Sequence, residues 1–306
     1  MFTPRPENQR IAVLLMLIAT AFIAATMLFA KVLGSDAAGP ALHPLQITHG
    51  RFVFAFAVLA VAAGVLRPTL TRPGWRLHIA RTTCGWAGVT LMFASVAWIP
   101  LADATAITFL NPVFGMMLAI PLLGEKVGRI RWSAAAMAFA GALILLRPTP
   151  ENFQAASLLA LAAAAVMGLE LIFIKKLSGR EPAFQVLLTN NFLGLILACA
   201  AVVFVWQSPT GLQWLLLGGL GLCMAAAQAC FVNAMARADA SFVAPFSYGT
   251  LIFATLYDIA FYHQIPDRVT LLGAGIILTG GIILAVREAR ARTAAVQSAP
   301  PVVQRL

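Results

Sequence analysis

Arg51, Glu170 and His49 are ionisable side chains set inside runs of otherwise apolar residues. A charged group in hydrocarbon is costly, so such residues face a bundle interior or a watery cavity and are candidates for function. Arg51 could bind a solute carboxylate; the alternatives are an ion pair with Glu170 or the capping of helix carbonyls. His49 stands two residues earlier, on another face of the same helix, because two residues turn a helix through about 200°. It could donate to a solute or titrate near neutrality. Glu170 has the chemistry of a proton-coupling carboxylate, against which stands a salt bridge with Arg51, Lys175 or Lys176. Asp258, close to one end of its apolar run, could simply reach the membrane interface.

The neutral polar set is Asn111, Asn190, Asn191, Gln228 and Asn233. Amides both donate and accept, which suits zwitterions or heterocycles, although bonding between helices is their commoner role. Gln228 lies mid-run with no charged neighbour and is the strongest of the five. Trp86 and Tyr248 lie deep enough to stack on a planar solute, whereas Trp75, Trp98, Trp132 and Tyr262 fall at run ends, where aromatics anchor the interface. The candidate binding set is therefore His49, Arg51, Trp86, Asn111, Asn190, Gln228 and Tyr248. Candidates for coupling or gating are Glu170, Glu125, Pro112 and Pro245. The two prolines remove a helix hydrogen bond and free a carbonyl. Glu125 follows Gly124 at a helix end beside Lys126, Arg129 and Arg131, as a gate, a salt bridge or a solvated turn. Asp103 and Asp239 precede apolar helices and read as N-terminal caps.

Other chemistries find no support. The four cysteines lie inside apolar runs without zinc-ligand spacing, and the four histidines are scattered. No phosphate loop, His-Glu-x-x-His or Gly-x-Ser-x-Gly occurs, so neither enzyme, resident metal nor cofactor is expected. Apolar residues make up 61% of the 306 and charged residues 10%, against about 25% charged in soluble domains. Lipid must solvate such a chain. The net charge of +10 sits in short gaps between apolar runs rather than on one face, which argues against nucleic acid.

Ten runs are long enough to position these residues across a bilayer, at about 20 residues each: 11–33, 42–66, 76–99, 102–123, 131–147, 155–177, 184–206, 212–236, 240–262 and 269–287. The first is too long for a signal-peptide core and reads as a retained span. With the N-terminus in the cytoplasm, seventeen of the 21 Lys and Arg fall inside, three outside, and Arg51 within a span. That bias places both termini in the cytoplasm. Residues 1–10 form an N-terminal tail, 148–154 a linker and 288–306 a disordered basic tail. Residues 11–147 and 155–287 are then five spans each, and an odd number inverts the second half relative to the first. Residues Ala102-Asp103-Ala104-Thr105 return as Ala238-Asp239-Ala240-Ser241, and Ala140-Gly141-Ala142-Leu143 as Gly280-Gly281-Ile282-Ile283. The expected fold is all-α and integral to the membrane, with ten transmembrane helices as two inverted five-helix repeats. Inverted repeats underlie alternating access.

On these residues the chain resembles the drug/metabolite transporter superfamily, in its ten-span branch of paired EamA domains. The resemblance is carried by Arg51-Phe52, Arg81, the run Pro100 to Thr105 leading into Phe109-Leu110-Asn111-Pro112, Leu122-Leu123-Gly124-Glu125, and Gly141. It covers about residues 11–288. Where a second Gly-Glu would fall, the chain has His263-Gln264. The resemblance implies a secondary carrier of small metabolites, with a central cavity lined by the first four spans of each half and the fifth and tenth spans peripheral. The expected solute is a small polar or zwitterionic metabolite, an amino acid or a related compound. A planar vitamin or nucleoside-like solute is the alternative, and a receptor or channel without coupled flux is the reading from another class. Expected partners are that solute, the lipid bilayer and protons as candidate coupling ions, in a monomer or a homodimer at a bacterial inner membrane.

Overall fold

The structure, a computed structural model, describes residues 8–124, 127–146, 154–177, 181–235, 237 and 244–297. Among these every regular element is helical: α1 (Gln9–Leu33), α2 (Pro44–Leu66), α3 (Trp75–Val96), α4 (Leu101–Thr108), α5 (Asn111–Leu123), α6 (Arg129–Leu146), α7 (Ala156–Leu177), α8 (Ala183–Val202), α9 (Gly211–Met235), α10 (Gly249–Tyr262) and α11 (Arg268–Gln297), with two short 3₁₀ turns at 36–38 and 244–248. Six stretches are long and apolar enough to cross a membrane: α1, α2, α4 with α5, α7, α8 and α9. Helix α3 is long enough but carries Arg76, His78 and Arg81 in its first two turns. Large apolar side chains such as Phe204, Trp98 and Ile265 remain exposed on the outside, as a bundle solvated by lipid requires. The chain is an all-α integral membrane protein.

Local chemistry sets the helix ends. The Asn8 side chain accepts the Ile11 N–H at 3.1 Å and starts α1. Pro44 opens α2, where its missing N–H costs nothing. Gly124 closes α5 with φ of 67°, a left-handed conformation that glycine adopts without strain. Pro112 takes the second position of α5, and the α geometry is interrupted between Thr108 and Asn111. Pro245 lies in the 3₁₀ turn that leads into α10. Its fixed φ and absent N–H suit such a turn. The last helix runs on to Gln297, past the expected end at 287. The segment Arg287-Glu-Ala-Arg-Ala-Arg-Thr-Ala-Ala is rich in strong helix formers, which outweighs its charge.

Packing joins the two halves of the chain. Helix α1 lies along α9, α3 along α7, and α6 along α11; α2 packs on α8 and α9, α1 on α10, and α5 on α7. Glycines allow the closest approaches. A Cβ on Gly141 would lie 2.7 Å from the Gly273 carbonyl, and one on Gly280 would lie 2.7 Å from that of Ala134. The α6–α11 contact is therefore backbone on backbone, the small-residue packing expected between helices in lipid. The apolar core runs through Leu33, Ile47, Met92, Leu101, Ile107, Leu110 and Leu220. It leaves a cavity between α1–α3 and α7–α9.

Candidate functional site

The cavity has a volume of about 280 Å³. Helices α1, α2 and α3 supply Ile23, Arg51, Phe52, Arg81, Gly85 and Val89; α7, α8 and α9 supply Met167, Glu170, Leu187, Asn190, Met224, Ala227, Gln228 and Phe231. Small residues hold it in shape. A Cβ on Gly85 would lie 2.9 Å from Glu170 Oε1, so glycine is what lets the carboxylate approach α3.

Arg51 is 4% exposed. Its guanidinium lies 4.4 Å from the Phe52 ring centroid, and its buried Nη1 has no hydrogen-bond partner. Arg81 Nε is 3.4 Å from Glu170 Oε1, and Arg81 Nη1 donates to the Val186 carbonyl at 3.2 Å. The two cavity amides are tied from behind. Asn191 Nδ2 donates to the Leu187 carbonyl at 2.9 Å and to Gln228 Oε1 at 3.1 Å. The Thr82 hydroxyl donates to Asn190 Oδ1 at 3.1 Å.

The structure thus gathers Arg51, Glu170, Asn190 and Gln228 from the sequence candidates. The remaining ones lie elsewhere. His49 packs edge-on against Trp206, with centroids 5.9 Å apart, because it faces away from Arg51 on α2. Tyr248 is buried on Phe109 at 4.8 Å and meets Gly281 of α11, so its ring is used in packing. Trp86 points its Nε1 into a buried position without a partner and is not among the lining residues. Asn111 opens α5 where Gly168 of α7 passes its carbonyl. Glu125 lies outside the described residues, as does Asp239.

Three acids make contacts that depart from the sequence reading. The partner of Glu170 is Arg81, one of the seventeen basic residues counted on the cytoplasmic side. Its position four residues before Gly85, on one helix face, is the signal that was there to be read. Asp258 is 1% exposed rather than interfacial; it bonds Lys31 Nζ at 3.2 Å and accepts the Ala102 N–H at 2.9 Å. It therefore caps α4 from across the molecule, while Asp103 accepts the Thr270 hydroxyl at 3.0 Å. Lys31 also lies 4.4 Å from the Tyr262 ring centroid.

Hydrogen-bonded clamps join the halves at both ends of the bundle. At the end rich in arginine, the loop before α3 meets the start of α8. Thr71 N–H donates to Gln185 Oε1 at 2.6 Å, Gly74 N–H to Glu181 Oε1 at 2.7 Å, and His78 Nε2 lies 2.8 Å from Glu181 Oε2. Burial pushes the Glu181 carboxyl up, but the Gly74 N–H, His78 and Gln185 outweigh it and hold it below the ordinary glutamate value. At the opposite end the clamp is made of amides and backbone. Gln46 Nε2 donates to the Gln207 carbonyl at 2.6 Å, Gln207 Nε2 to that of Ala41 at 2.6 Å, and Gln213 Nε2 to that of Pro40 at 2.8 Å.

Comparison with known proteins gives one family and several relatives. The profile of the EamA-like transporter family matches twice, at residues 10–147 and 154–286. A riboflavin transporter of Rhizobium johnstonii is 33% identical over 245 residues, covering 78% of this chain and 79% of the relative. An S-adenosylmethionine uptake transporter of Rickettsia bellii is 27% identical over 256 residues, covering 83% of this chain and 87% of its own. A crystal structure of a protein 21% identical superposes with a TM-score of 0.61 over 92% of this chain and 98% of that one, a likeness of fold.

Proposed function

The chain belongs to the EamA-like transporter family, and from that premise we propose that it is a secondary carrier or exchanger moving a small organic solute by alternating access between two inverted five-helix halves. One observation carries the reading: the packing and both clamps exchange when the halves are exchanged. Replacing α1, α2 and α3 by α7, α8 and α9 turns the α1–α9 contact into α7–α3, and α2–α9 into α8–α3. The α6–α11 and α2–α8 contacts map onto themselves. The same exchange carries the clamp of the α1–α2 loop with the α8–α9 loop onto that of the α7–α8 loop with the α2–α3 loop. A molecule built this way has two related ways of closing, one toward each side. Ten crossings, with 11–147 and 155–287 as the repeats, accord with the double family match. A bacterial inner membrane with both termini cytoplasmic accords with the bacterial relatives and the basic loops.

For the solute, a planar vitamin-like molecule is the better reading, supported by a relative named for riboflavin at 33% identity. Phe52 and Phe231 in the cavity wall give it apolar faces. Amino acids are the competing class. Counterflow of labelled riboflavin and of labelled tryptophan in proteoliposomes separates them. Uptake stimulated by internal riboflavin supports the vitamin reading, stimulation by tryptophan alone supports the amino acid, and binding without stimulated uptake of either overturns the carrier.

A further inference from the structure

We propose that the cavity selects a solute bearing an anionic oxygen group, a carboxylate or phosphate, with Arg51 as its seat; this rests on the carrier reading and narrows it. The first support is charge. Arg51, Arg81 and Glu170 share one buried space, and Glu170 is engaged by Arg81 at 3.4 Å. That leaves one positive charge in excess, on a side chain 4% exposed whose Nη1 has no acceptor. A buried donor without a partner costs free energy, and more when it is charged. The ligand is what relieves it.

The second support is independent of charge. Asn191 must present N–H to the Leu187 carbonyl, which fixes its amide and makes Gln228 Oε1 the acceptor of its other N–H. Gln228 therefore has its oxygen committed and its NH₂ left to donate. Asn190 likewise has its oxygen engaged by Thr82. Two guanidinium groups and two amide NH₂ groups face the cavity, and the lone carboxylate is already paired. Such a wall is rich in donors and poor in acceptors. It favours carboxylate or phosphate oxygens over an ammonium group, for which the one carboxylate is already shared with Arg81, so a zwitterion gains less than an acid.

Matched probes test this on the purified full chain in detergent, by thermal shift: nicotinate against nicotinamide, riboflavin 5′-phosphate against riboflavin, and indole-3-propionate against tryptophan. The expected result is a larger shift with the acid in at least one pair, lost in Arg51→Gln and partly kept in Arg51→Lys. In Glu170→Gln, which removes the neutralising charge, the same acid binds about tenfold more tightly, the scale of one charge-assisted hydrogen bond. That gain marks an anion site in this cavity, and the Arg51 variants assign its seat. Equal or smaller shifts with every acid, a shift that survives Arg51→Gln, or unchanged or weaker binding in Glu170→Gln overturns the proposal. The last arm holds even if the Arg51 variants fail to fold. Counterflow of the bound acid is measured in parallel: a retained shift without exchange removes the carrier reading and leaves the anion site standing.

Discussion

Arg51 and Glu170 were legible from sequence because an ion in an apolar run has few places to go. Arg81 was not, because six residues from a helix start a long cation can either reach water or turn inward, and only its neighbour across the gap decides. The amides show the same limit. Asn111, Asn190 and Gln228 look alike in sequence, and the rotation of each helix about its axis sorts them. Two predictions belong to single side chains. Glu170→Gln keeps solute exchange but abolishes accumulation driven by a proton gradient; equal accumulation in variant and parent excludes Glu170 as the coupling group. Gly85→Val drives a side chain into the Glu170 carboxylate, 2.9 Å from where its Cβ would sit. It lowers the initial transport rate at least several-fold, and the overpacking costs about 1–3 kcal/mol of stability. A rate like the parent's would show that the carboxylate's approach to α3 is dispensable.

At the level of elements, hydrophobic runs located the helices, six stretches of which are long and apolar enough to cross a bilayer, since length and apolarity are demands of the bilayer itself. Helix ends were harder. The sequence marked Asp103 as the cap of α4 because it stands next to the first turn, yet the N–H of Ala102 is met by Asp258, 156 residues away. No local pattern reports so distant a partner. Asp258 thereby fastens α4, α10 and α1 together through Ala102 and Lys31. Asp258→Asn leaves Lys31 buried without its counter-ion, a loss of about 3–5 kcal/mol for buried pairs. A thermal melt checks it, and adding Lys31→Met to the same chain recovers part of the loss. The α6–α11 contact gives a second case. Gly280→Leu forces apart backbones that now touch, and a lowered melting temperature with transport lost in proportion is the expected outcome.

Across the whole molecule, the duplication was readable from short matches such as Ala102-Asp103-Ala104-Thr105 and Ala238-Asp239-Ala240-Ser241. The clamps were not, because their partners lie in loops and helix starts more than 100 residues apart, brought together only by the fold. Their acid dependence follows from Glu181. Its carboxyl is held below the ordinary glutamate value, so it strengthens the arginine-rich end wherever it is ionised. That contribution is present above the ordinary value and is lost as pH falls through the lowered one. Glu181→Gln at neutral pH imitates the protonated form. At neutral pH a Thr71→Cys probe should label faster in that variant than in the parent, whereas an Ala41→Cys probe at the amide end, where the contact is made by the backbone carbonyl, should label more slowly.

The two seals are therefore made of different materials. The contacts across one are amide and backbone hydrogen bonds; the other is joined through a carboxylate that answers to protons. Acid in the compartment bathing the arginine-rich loops weakens the joint on that side. The amide contacts of the opposite seal have no such proton to gain, so acid bears unequally on the two joints.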